Sequence, residues 1–374
     1  MSKTKILFIV NVDWFFLSHR LPIALKALDM GYEVHLACAQ TKPLDALSAA
    51  GINVHPIGMK RGPITFFSDF LVLIKIFFLI RDVRPDILHL VTIKPIIFGG
   101  LVARLLSVPR VVFAIAGLGY GFSVKGVLSL IRKFFLIALY RVVLNQKRKV
   151  VIFQNLSDIE TISSFFSLPG ENCRLVKGSG VNLFDYNYTP IPQGVPIVMF
   201  ASRLLMDKGV EDFVNAAKFL NHRDIRFVIV GAPDKGNPTS VTLADLANWT
   251  SRKNIEWWGY KDDMEEVIKL ATIVVFPSYY NEGIPKILLE AASSGRPVIT
   301  TDQPGCRDAI EDGVTGLLVP IKNPRILAQR IEYLILNPDL MAEMGKNARK
   351  LAEESFDVNA IVKSHMEIYS DLLR

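Results

Sequence analysis

Residues 273–300 read IVVFPSYYNEGIPKILLEAASSGRPVIT and contain a complete strand–helix–strand unit. The continuous apolar run Ile273–Pro277 is typical of a parallel strand that is buried on both faces. Pro285 suits the first turn of a helix, and Lys286–Ser293 has helical spacing. A second β-branched run, Pro297–Thr300, predicts the next parallel strand of the same sheet, because a crossover helix joins strands of this kind.

The same alternation of strands and helices extends along the chain in two series. Two series of this kind predict an α/β protein of two facing, doubly wound Rossmann-like domains with a deep cleft between them. The Pro- and Gly-containing stretch Thr189–Gly194 separates the series. We therefore predict one domain at 1–188, a second at 189–355, and a C-terminal helix within 356–374 that packs back on the first domain. The predicted strands are Ile6–Val12, Glu33–Ala37, Ile87–Val91 and Arg110–Ile115, then Ile197–Ala201, Phe227–Gly231, Ile255–Trp258, Ile273–Pro277 and Pro297–Thr300.

Composition excludes several classes of protein. Half of the 374 residues are apolar and 21% are charged, which excludes a disordered or collagen-like chain. The three cysteines lie far apart, which argues against a zinc ribbon or a disulfide scaffold. Residues 1–185 carry 22 Lys and Arg against 11 Asp and Glu, whereas residues 186–374 carry 21 against 25. The first half is basic and the second mildly acidic, so we expect them to meet different partners.

Two cations follow the predicted strand Ile197–Ala201. Arg203 and Lys208 lie in the loop between this strand and the next helix, and ligands of doubly wound sheets bind at the carboxyl ends of the strands. Two cations beside free backbone N–H groups form an anion site. The alternative is that both residues are solvated in a surface loop.

Two carboxylates follow the predicted strand Ile273–Pro277. Glu282 lies in the loop, and Glu290 lies within the next helix, about one and a half turns after Pro285. A carboxylate in an otherwise apolar helix is costly to bury unless a polar group meets it. Gly283 allows the backbone to approach a ligand closely. The alternative is that Glu290 occupies an exposed helix face.

Several motifs together resemble the retaining glycosyltransferases of sequence family 4, which have the GT-B fold. The resemblance covers nearly the whole chain and is most specific over residues 195–320. The N-terminal half is similar to bacterial enzymes that extend undecaprenyl-diphosphate-linked glycans, and above all to the N-acetylgalactosaminyltransferases of O-antigen and N-glycan assembly. The motifs are the E-x7-E segment 282–290, Ser202-Arg203-Leu204 with Lys208-Gly209, and segments 312–319, 16–22, 117–122 and 177–182.

The resemblance implies a role for each residue of the second half. Arg203 and Lys208 would hold the diphosphate of a nucleotide sugar and stabilise it as it leaves, and Glu282 would act at the donor sugar. Glu290 would accept hydrogen bonds from the ribose hydroxyls. No D-x-D triplet occurs, so we predict no metal site and no cofactor, with a UDP-sugar as the substrate. Further donor contacts are predicted at Gly259, Gly283, Ile284, Pro285 and Lys286.

The first half would bind a lipid-diphosphate-linked sugar as acceptor. His19 would either polarise an acceptor hydroxyl or serve as a structural residue at a helix start, and Arg20 would contact the acceptor diphosphate. The family often has a glycine-rich loop after the first strand, which residues 11–16 replace here. Many members also carry a His near 114–116, which this chain lacks, so that catalytic role does not carry over. The predicted acceptor contacts are Asn11, Asp13, His19, Arg20, Gly117 and Gly119.

Two apolar helix stripes with neighbouring cations suit the surface of an anionic membrane. The alternative is that both stripes face the core. The charge also suits nucleic acid, but no reader motif accompanies it, so we predict no nucleic-acid partner. The prediction is a peripheral protein on the cytoplasmic face of the bacterial plasma membrane. The stripes are Phe66, Phe67, Phe70, Leu71, Ile74, Phe77 and Phe78, and Leu128, Ile131, Phe134, Phe135, Ile137 and Ala138, with Lys125, Arg132, Lys133, Arg141, Lys147, Arg148 and Lys149 nearby.

The resemblance thus implies a retaining, metal-independent enzyme that moves a hexose or N-acetylhexosamine, with GalNAc preferred, from a UDP-sugar to an undecaprenyl-diphosphate-linked sugar in surface polysaccharide or glycan assembly. The new bond would be α-linked. Retention could follow double displacement on Glu282 or front-face attack by the acceptor, and we prefer the second. The alternatives are a sugar-nucleotide epimerase or phosphorylase of the same fold, a transferase to a soluble acceptor, and a non-catalytic nucleotide-binding or membrane-docking module.

Overall fold

The chain divides into two compact units. The computed structural model describes residues 3–59, 66–119, 127–165, 170–234 and 236–374. The first unit comprises Met1–Ser179 and Asn359–Arg374, and the second comprises Gly180–Val358. The division at Gly180 falls before the predicted boundary at 189, because Val181 and Tyr186 pack on the core of the second unit.

The first unit is a seven-stranded parallel sheet with strand order β3-β2-β1-β4-β5-β6-β7. Side chains alternate across a strand, so Leu7 and Ile9 of β1 enter one core cluster while Phe8 and Val10 enter the other. The strand order reverses direction at β1, which is flanked by β2 and β4. The strands are β1 (Lys5–Val12), β2 (Glu33–Ala39), β3 (Asn53–Pro56), β4 (Ile87–Val91), β5 (Val111–Ile115), β6 (Lys149–Phe153) and β7 (Cys173–Leu175).

Helices cover both faces of this sheet. The described helices up to residue 165 are α1 (Asp13–His19), α2 (Leu21–Asp29), α3 (Asp45–Ala49), α4 (Phe66–Val83), α5 (Ile93–Leu105), α6 (Val127–Val143) and α7 (Leu156–Ser163). Residues of α4, α5 and α6 share one core cluster, and residues of α2 share the other. Within the described part of the chain, no helix has the length and hydropathy needed to cross a bilayer.

The second unit is a six-stranded parallel sheet with strand order β10-β9-β8-β11-β12-β13. Residues 273–300 form β11, α11 and β12, as their periodicity predicts. The strands are β8 (Ile197–Ala201), β9 (Arg226–Val230), β10 (Ile255–Gly259), β11 (Ile273–Phe276), β12 (Val298–Thr301) and β13 (Gly316–Val319). The helices are α8 (Val210–Phe219), α9 (Leu243–Thr250), α10 (Met264–Lys269), α11 (Lys286–Ser293), α12 (Pro324–Ile335) and α13 (Pro338–Ser355). The predicted pair of doubly wound sheets is confirmed.

The last helix, α14 (Val358–Leu373), packs on the first unit from Asn359 onward. Ile361, Met366 and Ile368 belong to the same core cluster as Phe8 of β1. The apolar spacing of this helix explains its placement, since its apolar stripe meets the face of the sheet that α2 covers only in part.

The two apolar stripes are divided between core and surface. Ile76 of α4 and Ile137 of α6 are buried, so Ile137 belongs to the core and not to the predicted surface stripe. Tyr120–Lys125 lie outside the described residues, as do the side chains of Phe66, Phe67, Leu128, Ile131 and Arg132. Exposed apolar side chains of these helices are Phe70, Leu71, Phe78, Phe134, Phe135 and Val142.

A polar cluster is buried beneath α14. A hydrogen bond of 2.6 Å joins His89 Nδ1 to the Tyr369 hydroxyl, and the rings of His89 and His365 stack 5.8 Å apart. Burial lowers the pKa of His365 to about 3 and holds the pKa of His89 well below its ordinary value. Both histidines are therefore neutral in the folded protein, and the nearby Arg20 guanidinium disfavours their charged forms further.

The two neutral histidines predict a loss of stability in acid. In the unfolded chain each takes up a proton near pH 6.5, whereas the folded chain takes up none until a much lower pH. Each histidine therefore lowers the free energy of unfolding by about 1.4 kcal/mol per pH unit as pH falls below 6.5. Denaturant titrations at pH 7, 6 and 5 measure this slope. We expect His365→Gln to reduce this dependence of unfolding free energy on pH by the contribution of one histidine, about 1.4 kcal/mol per pH unit.

Ser364→Ala is the matched control. Ser364 lies on the same helix, its exposed hydroxyl is not titratable in this pH range, and its replacement should leave the slope unchanged. A His365→Gln variant with the parental slope would show that another group governs the acid response.

Candidate functional site

An ion pair lies at the carboxyl ends of β8 and β11. Lys208, in the short 3₁₀ turn Met206–Lys208, pairs through Nζ with Glu282 Oε1, and only 11% and 13% of the two side chains are exposed. The ammonium also lies 5.3 Å from the ring centre of Tyr280 and 5.6 Å from that of Phe276. The two loops that the sequence singles out thus meet through opposite charges in a largely water-excluded place.

Backbone contacts hold these loops in register. The Ser278 hydroxyl lies 3.2 Å both from Glu282 Oε1 and from the Asp207 carbonyl, and the Tyr279 N–H donates to the same carbonyl at 3.0 Å. The Thr301 hydroxyl, at the end of β12, donates to the Ser278 carbonyl. Three neighbouring strand ends therefore fix the position of the Glu282 carboxylate.

Glycines allow the loops to approach this closely. Gly209 has φ +79°, and a Cβ there would lie 2.0 Å from the Pro277 carbonyl oxygen. Gly305 has φ +80°, and its Cβ would lie 1.6 Å from the Gly283 carbonyl oxygen. Sequence reasoning missed Gly305, because spacing alone does not show which glycine lies against which carbonyl.

The second cation has a different partner. Arg203 Nη1 lies 2.8 Å from Asp234 Oδ2, and the carboxylate is buried while the guanidinium is partly exposed. Asp234 follows β9, and its own N–H donates to the Ser240 hydroxyl at 2.9 Å. Sequence reasoning missed Asp234 because its charge lies in an ordinary Gly-Pro-rich loop with no recognisable motif.

The Glu290 carboxylate is buried within α11. Lys286 Nζ lies 3.5 Å away, and the Tyr186 hydroxyl is hydrogen-bonded to Glu290. Burial raises the pKa of Glu290, although Lys286 and Tyr186 act against this. The exposed-face alternative is therefore excluded, and the helix carries a buried acid with two polar partners. Tyr186 was not predicted, since it lies about a hundred residues away in sequence.

The remaining donor-site predictions concern backbone. Gly259 ends β10 with φ +72°, and a Cβ there would meet no atom within 4 Å, so the backbone borders open space. Pro285 is the N-cap of α11, one position before the predicted first turn. Ile284 is buried in the core, which leaves its backbone as the part able to meet a ligand. The predicted ligand contacts of Gly259, Gly283, Ile284, Pro285 and Lys286 stay predictions.

Asp13, predicted to bind the acceptor, is buried and forms hydrogen bonds with other residues of the chain. Its carboxylate accepts hydrogen bonds from the Thr41 N–H at 2.6 Å, the Thr41 hydroxyl at 2.7 Å and the Lys42 N–H at 3.1 Å. Burial alone would raise the pKa of Asp13, but the bonds from Thr41 and Lys42 hold it below its ordinary value. The carboxylate thus ties the loop after β2 to the start of α1, and its contact with an acceptor stays a prediction.

Arg20 also lies in the interior. Only 1% of the residue is exposed, and burial lowers its pKa to about 10. Its Nη1 donates to the His19 carbonyl at 3.3 Å. The guanidinium lies close to His89, His365 and Tyr369, and its contact with the acceptor diphosphate stays a prediction.

The other predicted acceptor residues lie near the carboxyl edge of the first sheet. His19 ends α1, stacks on the Phe15 ring at 4.1 Å and places Nδ1 2.5 Å from the Ser18 hydroxyl oxygen. Gly117 and Gly119 follow β5 with φ of +91° and +63°. Asn11 lies near the end of β1. Their contacts with an acceptor stay predictions.

Two family models match the chain. Residues 5–155 match the model described as "Glycosyl transferase 4-like", and residues 185–351 match "Glycosyl transferases group 1". The two matches lie one in each unit and together account for most of the chain. Arg203, the Lys208–Glu282 pair and Glu290 fall within the second match.

Curated relatives match over nearly their full length. The N,N'-diacetylbacillosaminyl-diphospho-undecaprenol α-1,3-N-acetylgalactosaminyltransferase of Campylobacter jejuni is 26% identical, with 96% of this chain and 98% of the relative covered. The UDP-Gal:α-D-GlcNAc-diphosphoundecaprenol α-1,3-galactosyltransferase of Escherichia coli is 23% identical, with 91% and 90% covered.

A solved structure shares the fold. HepE of Anabaena, crystallised with UDP and glucose, superposes with a TM-score of 0.78 at 18% identity, and 98% of this chain and 99% of HepE are covered. At this identity the match concerns the fold alone. The two Rossmann-like units are those of the GT-B fold.

The close contact at Gly209 predicts a sharp cost for a methyl group. Gly209→Ala places Cβ against the Pro277 carbonyl and keeps a left-handed residue, so it should destabilise the second unit by more than the 1–2 kcal/mol that such a backbone conformation costs alone. Thermal unfolding of the purified variant measures this.

Gly313→Ala is the matched control. Gly313 has φ +76° and no atom within 4 Å of an added Cβ, so it reports the backbone cost without the contact. Equal losses in the two variants would mean that the Gly209–Pro277 approach has no energetic importance.

Proposed function

This chain belongs to the family 4 type of glycosyltransferase, and on that premise we propose that it transfers a hexosyl or N-acetylhexosaminyl group from a UDP-sugar to an undecaprenyl-diphosphate-linked sugar. The observation that carries the proposal is the Lys208–Glu282 ion pair at the carboxyl edge of the second sheet, with the buried Glu290 on the following helix. An ammonium, a guanidinium and a carboxylate in the loops after β8 and β11, with a second carboxylate in helix α11, suit a ligand that carries both phosphates and hydroxyls.

The cations act on the leaving group. When the bond between the anomeric carbon and the phosphate oxygen breaks, negative charge accumulates on the diphosphate. Lys208 and Arg203 supply positive charge from loops held by the Ser278–Asp207 hydrogen bond and the Arg203–Asp234 ion pair, so little reorganisation accompanies the reaction. Charge stabilisation that is stronger in the transition state than in the ground state lowers the barrier.

Glu282 contacts the sugar in this proposal and does not attack it. Its Oε1 already accepts from the Lys208 ammonium and the Ser278 hydroxyl, and a carboxylate so engaged is a weak nucleophile. We therefore favour front-face attack, in which the acceptor hydroxyl bonds to the anomeric carbon on the side that the phosphate leaves. The hydroxyl proton passes to a phosphate oxygen of the departing UDP, so the configuration is retained and an α-linkage results.

The acceptor and donor assignments draw on the relatives. Two of them are named for transfer to sugars linked to diphospho-undecaprenol, one adding N-acetylgalactosamine and the other galactose. A UDP donor agrees with the UDP of HepE. We propose GalNAc as the donor sugar and the assembly of a surface polysaccharide or glycan as the process, with no metal or cofactor required.

A lipid-linked acceptor places the reaction at a membrane. Phe134 and Phe135 of α6 are 68% and 59% exposed, and Phe70 of α4 is 55% exposed. Exposed cations accompany them, including Arg141 and Lys147. We propose that this face of the first unit contacts the anionic inner surface of the bacterial plasma membrane, with aromatic rings in the interface and cations at the headgroups.

Removal of the Lys208 charge tests the chemistry. Lys208→Ala should lower kcat by about 10²–10³, the usual loss when one preorganised group that stabilises developing charge is removed. The assay incubates the protein with a panel of UDP- and GDP-sugars and a short-chain lipid-diphosphate-hexosamine, and detects products by mass. The same panel identifies the donor sugar.

Lys218→Ala is the control for lost positive charge. Lys218 lies on α8 with its Nζ 2.6 Å from Asn215 Oδ1, so its removal should leave kcat unchanged. Parental turnover in Lys208→Ala would refute the role given to this ammonium.

The exposed phenylalanines test the membrane contact. The double variant Phe134→Ser/Phe135→Ser should bind phosphatidylglycerol vesicles at least about tenfold more weakly, because a buried aromatic side chain contributes roughly 1.5–3 kcal/mol. Co-sedimentation measures binding. Leu243→Ser/Leu336→Ser removes side chains that are 67% and 60% exposed in the second unit, and should bind like the parent. Equal binding by both double variants would exclude the α6 face as the contact.

A further inference from the structure

Thr92 adopts a backbone conformation that its side chain disfavours. It follows β4 directly, with φ +73° and ψ 168°, a region that is almost reserved for glycine. A β-branched residue there is a strong outlier. Thr92 is also the N-cap of α5, yet its hydroxyl caps no backbone N–H of that helix. A strained residue that does not perform the usual task of its position suggests another task.

The Thr92 hydroxyl is buried without a hydrogen-bond partner, and so is the Asn11 side-chain oxygen. Val10 of β1 and Val91 of β4 are register partners, so Asn11 and Thr92 are the next residues along two neighbouring parallel strands. The two residues therefore lie beside each other at the carboxyl ends of β1 and β4, Thr92 one residue beyond its strand and Asn11 within the irregular stretch Ile9–Val12 of β1. Buried polar atoms are nearly always hydrogen-bonded in proteins, and two exceptions side by side mark a place prepared for a polar ligand.

The position in the sheet supports a ligand site. β1 and β4 are the neighbours at which the strand order 3-2-1-4-5-6-7 reverses direction. Ligands of open α/β sheets bind in the crevice beyond the carboxyl ends of the strands at this point. Asn11 and Thr92 thus combine three features: a strained backbone at Thr92, two buried oxygens without a hydrogen-bond partner, and a position where the strand order reverses.

We propose that Asn11 and Thr92 together bind one hydroxyl of the acceptor sugar. The Asn11 oxygen only accepts hydrogen bonds, whereas the Thr92 hydroxyl also donates. A sugar hydroxyl satisfies both, because it donates to Asn11 Oδ1 and accepts from the Thr92 O–H. This assignment rests on the proposed transferase function and makes Thr92 a residue that selects among acceptor sugars.

Substitutions at Thr92 separate this role from a structural one. Thr92→Val should raise the acceptor KM about tenfold, as expected for one lost hydrogen bond, and leave the donor KM unchanged. Thr92→Ser keeps the hydroxyl and should restore the parental KM. Thr92→Gly should raise Tm, because the strain is relieved, and yet bind acceptor as poorly as Thr92→Val. A purely structural residue would not combine higher stability with weaker acceptor binding.

Ser107→Gly is the matched control. Ser107 follows α5, is exposed and has φ +52°, so its replacement relieves a left-handed residue away from the site. It should change Tm without changing either KM. Acceptor KM at the parental value in Thr92→Val, or an equal rise in Ser107→Gly, would overturn the proposal.

Calorimetric titration with the short-chain lipid-diphosphate-hexosamine keeps the two proposals distinguishable. Acceptor binding by the parent without any transfer would refute the proposed transferase function alone. Under that result, weaker binding by Thr92→Val would still support the hydroxyl site, and parental affinity in that variant would refute it.

Discussion

The site of the second unit depends on the attraction between the Lys208 ammonium and the Glu282 carboxylate. Both groups lose most of their hydration where β8 and β11 end, and this loss has to be offset by each other and by neighbouring hydrogen bonds. Gly209 lets one loop lie against the carbonyl of Pro277 in the other, where a Cβ would lie 2.0 Å from the carbonyl oxygen. Close backbone packing and the attraction between the two charges therefore act together at this site.

The two units use polar residues in different ways. In the second, the charged groups gather at the carboxyl edge of the sheet, where Arg203 meets Asp234 and Lys208 meets Glu282. In the first, several polar residues are enclosed, among them His89, Tyr369 and Arg20. The charged groups at the sheet edge of the second unit are suited to binding a charged ligand. The enclosed polar groups of the first unit belong to a core that protonation in acid destabilises.

The periodicity of the sequence was sufficient to predict that the chain forms two parallel sheets, because buried parallel strands appear in a sequence as short apolar runs. It missed β3, β7 and β13, which are only three or four residues long, and also the five-residue β6. Glu282 and Lys208 were predictable because each follows a recognisable strand. Asp234 and Tyr186 were not, because their partners are fixed by folding and not by spacing. Asp13 shows the same limit: sequence reveals a carboxylate near a strand end, but not that it accepts hydrogen bonds from Thr41.

The return of α14 to the first sheet has a consequence for synthesis. Tyr369 is hydrogen-bonded to His89, so the first unit contains a helix that is translated after the whole of the second unit. The 179 residues of Gly180–Val358 are translated in between and can complete their own sheet first. During that interval the part of the core cluster that packs on Ile361 and Met366 is uncovered, so the first unit completes its core only after the second unit has been translated.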